Sequence, residues 1–359
     1  MKLNAASLLL ERSIDDFTGK VLVANPEDIF PFELVHAHSD LTDRKLQVTA
    51  WCQSKTIYDQ LLHIGMPEEQ LIFAATLPDG TATDFDHIIL YQPKAKELLD
   101  YLLAATLPHL ALTGKVWLVG DNKSGVKSSH KKLQPLLDNV GKVDSARHCM
   151  LYCGEKSQPS SLFRLEDWLQ SWQQDIAGQT LTLVSLPGVF GHGKLDVGTK
   201  LLLEHLSKHR FMSQVQDARI LDFGCGDGII AAWLAQHTGA SITALDDSAL
   251  ALKATELTFA ANNLSAQLTL VASNGLRDIK GRFNYVISNP PFHTGINTDY
   301  SIAEQLFMGI KAHLTLNGEL FVVANDFLPY PNLLNAALGT HTRLLREQGF
   351  AIYHARQKK

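Results

Sequence analysis

A chain of 359 residues with 45% hydrophobic and 19% charged positions has the composition of a soluble globular protein and exceeds what one hydrophobic core usually supports, so two domains are expected. A formal net charge of -5 excludes a protein that coats nucleic acid over its whole surface and leaves room only for a local basic patch. Four cysteines (Cys52, Cys149, Cys153, Cys225) are too few for a disulfide scaffold and no apolar run has bilayer-spanning length, which together imply a reducing, cytoplasmic compartment.

The first segment, MKLNAASLLLERS, does not read as a signal peptide, because Asn4 breaks its apolar part and Glu11 and Arg12 follow at once. Five apolar strands come next: KVLVANP, LQVTAWCQS, LIFAATLPDG, DHIILYQP and GKVWLVGDN. His36 with His38, and His148 with Cys149 and Cys153, lack the spacing of a four-donor zinc site, so no metal is expected. The run DNKSGVKSSHKK clusters Lys123, Lys127, His130, Lys131 and Lys132, a candidate RNA contact or a plain solvated loop. Residues 151–185 read as a polar linker and an amphipathic helix, with Trp168 and Trp172 at helical spacing and packing between domains.

From about residue 186 onward, strands and helical patterns alternate: ARILDFG, IIAAWLAQHT, ITALDD, ALALKATELTFAANN, LTLVAS, FNYVISN and GELFVVAND. Such alternation predicts a parallel sheet with helices on both faces. The run Asp222-Phe-Gly224-Cys-Gly226-Asp-Gly228 leaves a strand and opens a helix, so its backbone can turn tightly and approach a ligand at the helix N-terminus. A dinucleotide loop would place a third glycine where Ile229 stands, which counts against NAD. Asp246 ends the next strand, where an acid can accept both hydroxyls of a ribose. Either acid alone reads equally well as a cap or a solvated strand end.

The strand VIS then runs into Asn289, Pro290, Pro291 and Phe292. Prolines bring no N–H, so this rim holds acceptors and few donors, which suits a planar NH₂ group, and Phe292 offers a ring for stacking a base. Without the glycine loop, the same four residues would read as a rigid turn.

The two halves repeat. VLVAN matches ILDFG, VTAWCQS matches ITALDDS, LIFAATL matches LTLVASN, HIILYQP matches YVISNPP, and GKVWLVGDN matches GELFVVAND, each about 200 residues further on. The expected architecture is α/β, with two tandem Rossmann-like domains of seven-stranded mixed sheets at 1–150 and 186–359. The first copy has lost the glycines, carries Cys52 at the place of the ribose acid and Tyr91-Gln92-Pro93 at the place of Asn-Pro-Pro, and should bind no cofactor.

DFGCGDG, Asp246 and NPPF resemble the class I S-adenosylmethionine-dependent methyltransferases that modify exocyclic or amide nitrogens. With PGVFGHGKLDVGT before the glycine loop and NDFLPYP after it, the whole tandem chain resembles the 16S rRNA guanine-N2 methyltransferase family. That resemblance implies a degenerate first domain, an S-adenosylmethionine donor, no metal, and methylation of guanine 1207 within the 30S subunit. A monomer with no DNA or membrane partner is expected. It places the methionine part of the cofactor at Gly224, Gly226 and Gly228 beside Asp222, and the ribose at Asp246. The adenine falls near Ser273 and Asn274, where many relatives carry Asp, and Phe190, Asp196 and Gly198 help close the pocket. The Asn-Pro-Pro-Phe motif alone leaves open a large-subunit guanine, an adenine N6 or a protein glutamine, and the competing non-enzymatic reading is an RNA-binding assembly factor.

Overall fold

The computed structural model describes residues 2–37, 46–290 and 301–358. It divides into two compact units, Met1–Trp168 and Leu169–Lys359. The first unit holds β1 (Lys20–Ala24), β2 (Gln47–Cys52), β3 (Leu71–Phe73), β4 (Phe85–Tyr91), β5 (Leu110–Asp121), β6 (Asp138–Ala146) and β7 (Cys149–Glu155) in one seven-stranded sheet ordered β3-β2-β1-β4-β5-β7-β6. The second unit opens on a hairpin, β8 (Gln170–Ile176) and β9 (Gln179–Ser185). Its sheet contains β10 (Arg219–Phe223), β11 (Ser241–Asp246), β12 (Leu268–Ala272), β13 (Phe283–Ser288), β14 (Leu314–Asn325), β15 (His341–Glu347) and β16 (Phe350–Arg356), ordered β12-β11-β10-β13-β14-β16-β15. The two orders are the same. In each, the first five strands in that order pair in parallel and the sixth, β7 or β16, is antiparallel to both its neighbours, so the expected mixed α/β sheets are present twice.

Registers make the repeat testable residue by residue. Ala24 pairs with Trp51 and Leu90, and Phe223 pairs with Leu245 and Ser288, so one step further Cys52 stands for Asp246 and Tyr91 for Asn289. The third strand corrects the sequence match. Ala50 pairs with Leu71 and Ala244 with Leu270, so Leu71 corresponds to Leu270, two residues beyond the expected Leu268 and on the same face of the strand.

Residues 151–185 contain no α-helix. β7 completes the first sheet past residue 150, and β8 and β9 form a hairpin whose two-residue turn, Ala177-Gly178, has positive φ at both positions (49° and 84°). Trp168 lies edge-on to Tyr101 at 5.5 Å inside the first unit, and Trp172 sits in β8. The expected helical pair is therefore a strand residue and a short 3₁₀ turn residue.

Parallel strands buried on both faces need apolar side chains throughout, as in Phe283–Ser288, where only Asn284 is exposed. One core joins Leu221, Phe223 and Val286 to Leu306, Phe307 and Ile310 of the helix Ser301–His313. In the first unit a core on the other face of the sheet joins Val21, Val23 and Ile89 to Leu9 and Leu10 of the helix Ala5–Leu10. Among the described residues, no helix is long and apolar enough to cross a membrane.

Candidate active site

The glycine turn after β10 is held from three sides. Gly224 and Cys225 both donate to the Leu245 carbonyl, at 2.8 and 2.9 Å, and Gly226 N–H donates to Asp246 Oδ2 at 3.1 Å. Thr255 Oγ1 donates to the Gly226 carbonyl from the helix Ala249–Ala261, at 3.1 Å. Gly224, Gly226 and Gly228 all have positive φ (76°, 57° and 80°), and a Cβ on Gly228 would stand 2.8 Å from Thr255 Cγ2. Gly226 instead faces open space, its nearest neighbour in that direction being the Phe190 carbonyl at 3.9 Å. A backbone concavity beside the N-terminus of the helix Ile229–Thr238 is thus available to a ligand.

Three carboxyls surround this turn. Asp222 is fully buried; its Oδ2 accepts from Ala231 N–H at 3.1 Å, and its Oδ1 has no hydrogen-bond partner among the described residues. Burial pushes it up to about 8. Asp246, half-buried, accepts from Gly226 and Ser248 backbone N–H groups, and burial pushes it up to about 6. Two oxygens with two accepted bonds leave lone pairs free for a pair of hydroxyls. Asp227, missed in the sequence reading, is buried, accepts from Ile229 N–H at 3.4 Å and is pushed up to about 7 by burial. Its signal was an acid inside the glycine turn with a counterpart, Asp28, in the first copy.

At the neighbouring strand end, Ser288 Oγ donates to the Phe223 carbonyl at 2.6 Å and ties β13 to β10. Asn289 follows, half-buried, its Nδ2 donating to Asp196 Oδ2 and to Thr199 Oγ1, both at 2.9 Å. Pro290 is buried; Pro291 and Phe292 lie outside the described residues. Asp196 caps the helix Val197–Lys208 by accepting from Thr199 N–H. Gly198 lets that helix approach Phe350, whose ring would lie 2.8 Å from a Cβ there. Phe190 is 63% exposed beside the glycine turn.

Ser273 is buried, and its Oγ accepts from Asp278 N–H at 3.1 Å, so this hydroxyl serves its own loop; Asn274 is half-buried next to it. The candidate basic patch is only partly available. Lys132 is tied to Asp100 and the Lys96 carbonyl, and His130 stacks on Tyr152 at 5.2 Å, whereas Lys123, Lys127 and Lys131 are exposed. Among the described residues no cluster of His, Cys, Asp or Glu could hold a metal ion. Cys149 and Cys153 lie together on β7, and His38 is outside the described residues.

In the first unit the corresponding place is filled by protein. Tyr91 is fully buried, with its hydroxyl 2.7 Å from Ser7 Oγ, and Asp28 accepts from Ser7 Oγ, Phe30 N–H and Asn4 N–H.

The methyltransferase small domain family model matches residues 180–354, and the model of the methyltransferase small domain N-terminal matches residues 7–172. The fold and both matches define the class: a tandem methyltransferase. Proteins called ribosomal RNA small subunit methyltransferase C are similar over the whole length. The one from Marinomonas sp. (strain MWYL1) is 64% identical over 100% of this chain and 99% of its own, and that of Acinetobacter baumannii (strain AYE) is 37% identical over 97% and 98%. The chain belongs to the ribosomal RNA small subunit methyltransferase C family. A solved structure described as a T. thermophilus 16S rRNA N2 G1207 methyltransferase in complex with AdoMet and guanosine shares the fold. Its TM-score is 0.86 at 24% identity, covering 99% of this chain and 92% of that one.

Proposed function

We propose that the second unit transfers a methyl group from S-adenosyl-L-methionine to the exocyclic N2 of a guanine in 16S rRNA, guanine 1207, in the 30S subunit. The observation that carries this reading is the Asn289 amide: its hydrogens are engaged by Asp196 and Thr199, which leaves its oxygen as an acceptor at a strand edge next to the glycine turn. Whole-length similarity to the named rRNA enzymes supports the substrate, and the AdoMet and guanosine in the T. thermophilus complex support donor and base.

The residues present fit the cofactor. An orphaned carboxylate oxygen on Asp222 can accept from an ammonium group, the turn at Gly226 is open, and Asp246 has lone pairs for ribose hydroxyls. Gly224, Gly226 and Gly228 would hold the methionine part, Ser273 and Asn274 would lie by the adenine, and Phe190, Asp196 and Gly198 would border the pocket. When bound, S-adenosylmethionine supplies an electrophilic methyl on a sulfonium. Asn289 Oδ1 accepts a hydrogen of the guanine amino group and turns its nitrogen lone pair outward, while Pro290 contributes no competing N–H. The amino nitrogen would give its lone pair to that methyl, with the donor leaving as the neutral thioether, and would shed a proton to water. Positioning supplies most of the gain, up to about 7–11 kcal/mol in favourable cases. Lys123, Lys127 and Lys131 in the first unit would contact phosphates, with Lys132 and His130 behind them.

Mass spectrometry of rRNA digests, after purified 30S subunits are incubated with the protein and the donor, tests this. One methylguanine carrying its methyl on N2, mapped to position 1207, is expected. A methyl on adenine, on large-subunit rRNA or on a ribosomal protein would replace the substrate, and a chain that binds subunits without methylating anything would be an assembly factor.

A further inference from the structure

The Asn289 amide has two hydrogens, and the two acceptors at its nitrogen, Asp196 Oδ2 and Thr199 Oγ1, use both. These acceptors differ in kind. A threonine hydroxyl accepts or donates by rotating, whereas an ionised carboxylate only accepts. If the amide turned over, its carbonyl oxygen would face the Asp196 oxygen at the separation now held by the nitrogen, 2.9 Å, with no hydrogen between them. Asp196 therefore decides which end of the amide points inward, and Thr199 completes the hold.

Both residues come from one turn of one helix. The carboxylate oxygen that accepts from Asn289 also accepts from Thr199 N–H at 2.9 Å, so the cap and the side-chain clamp share an atom. Gly198, between them, brings this turn against Phe350. The first unit keeps the frame without the carboxylate at the cap: Asn4 accepts from Ser7 N–H at 2.9 Å, and Ser7 Oγ lies 2.7 Å from the hydroxyl of Tyr91, the residue equivalent to Asn289. A capped helix whose hydroxyl meets the end of the fourth strand is thus common to both copies, and the acceptor-only cap belongs to the copy that carries the asparagine.

The geometry points to Asp196 and Thr199 as positioning residues that fix the polarity of the Asn289 amide, so that its oxygen is presented to the amino group being methylated. This rests on the reading of Asn289 given above and gives Asp196 a duty separate from bordering the cofactor. It predicts that the pair acts only through Asn289.

Thr199→Val, Thr199→Ser and Asp196→Asn, each alone and combined with Asn289→Ala, test it on 30S subunits. Their readouts are kcat, KM, the calorimetric Kd for S-adenosylmethionine, and hydrogen exchange of the Asn289 side-chain amide in ¹⁵N-asparagine-labelled protein. Thr199→Val and Asp196→Asn should lower kcat about tenfold, the worth of one hydrogen bond, with KM and cofactor Kd within about twofold. Thr199→Ser should recover most of the loss, and the amide should exchange faster in Thr199→Val than in the wild type. In the Asn289→Ala background neither change should lower kcat further. An active wild type with unchanged kcat in Thr199→Val, a loss that persists without Asn289, or a loss seated in cofactor affinity would overturn the inference. A wild type that methylates nothing defeats the functional reading instead, and amide exchange unmoved by Thr199→Val would then defeat this one as well.

Discussion

Asp222, Asp227 and Asp246 crowd one backbone turn, and burial lifts them to about 8, about 7 and about 6. Each is raised above the 3.8 of an ordinary aspartate, so the folded protein keeps protons that the unfolded chain releases. Where the folded state binds more protons, stability falls as pH rises, here from roughly pH 4 to pH 8. Asp222→Asn removes the charge and keeps an acceptor for Ala231 N–H. Its melting temperature should exceed that of the wild type without cofactor, by more at pH 8 than at pH 5, with about 2–4 °C for each kcal/mol relieved. A gain that does not grow with pH, read by thermal denaturation, would remove Asp222 as the source. Asp222, Asp246 and Asn289 were legible because each ends or follows an apolar strand. Asp227 was hidden among glycines, and Thr199, although it closes the segment PGVFGHGKLDVGT, gives no sign of its role, since its partner Asn289 is distant in sequence and only the packing of a helix turn on a strand end brings them together.

Among the helices and turns, two glycines separate backbone strain from contact. Gly239 ends the helix Ile229–Thr238 with φ 65° and nothing near its missing Cβ, whereas Gly228 starts it with φ 80° and Thr255 Cα at 3.0 Å. Gly239→Ala should cost about 1–2 kcal/mol, the penalty of a left-handed alanine. Gly228→Ala adds overpacking and should cost about 2–5 kcal/mol in total, measured by urea denaturation. Equal costs would mean that Thr255 moves away freely. The five parallel strands of each sheet were readable because apolar runs buried on both faces differ from everything around them, whereas the partly exposed β6 and β15 were not. The segment around Trp168 and Trp172 was not, because a spacing of four fits a helix face and also one face of a strand. Trp172, Gln174 and Ile176 alternate with more exposed neighbours in β8, a period of two that favours the strand.

At the scale of the whole molecule, the duplication predicts one cofactor per chain. The first unit presents Glu27 and Asp28 where the second has Gly226 and Asp227, and Ser7 and Tyr91 close the strand edge that Asn289 opens. Titration calorimetry with S-adenosylmethionine should give a stoichiometry of one, and two equivalents would mean that the first unit retains a site. Four of the five strand matches could be read from sequence, yet the third slipped by two residues, because a shift of two keeps every side chain on its face and leaves the apolar pattern unchanged.

The main chain of that first turn still curls as its partner does. Asn25 holds φ at 54° where Gly224 holds 76°, and asparagine is among the few residues with a side chain that tolerate such a bend. Curvature and side-chain chemistry are therefore separable in this fold: the first unit keeps the bend while Glu27 and Asp28 stand at the places of Gly226 and Asp227. One left-handed residue suffices to set that bend, so the same loop shape accommodates either a bare glycine backbone or a row of acidic side chains.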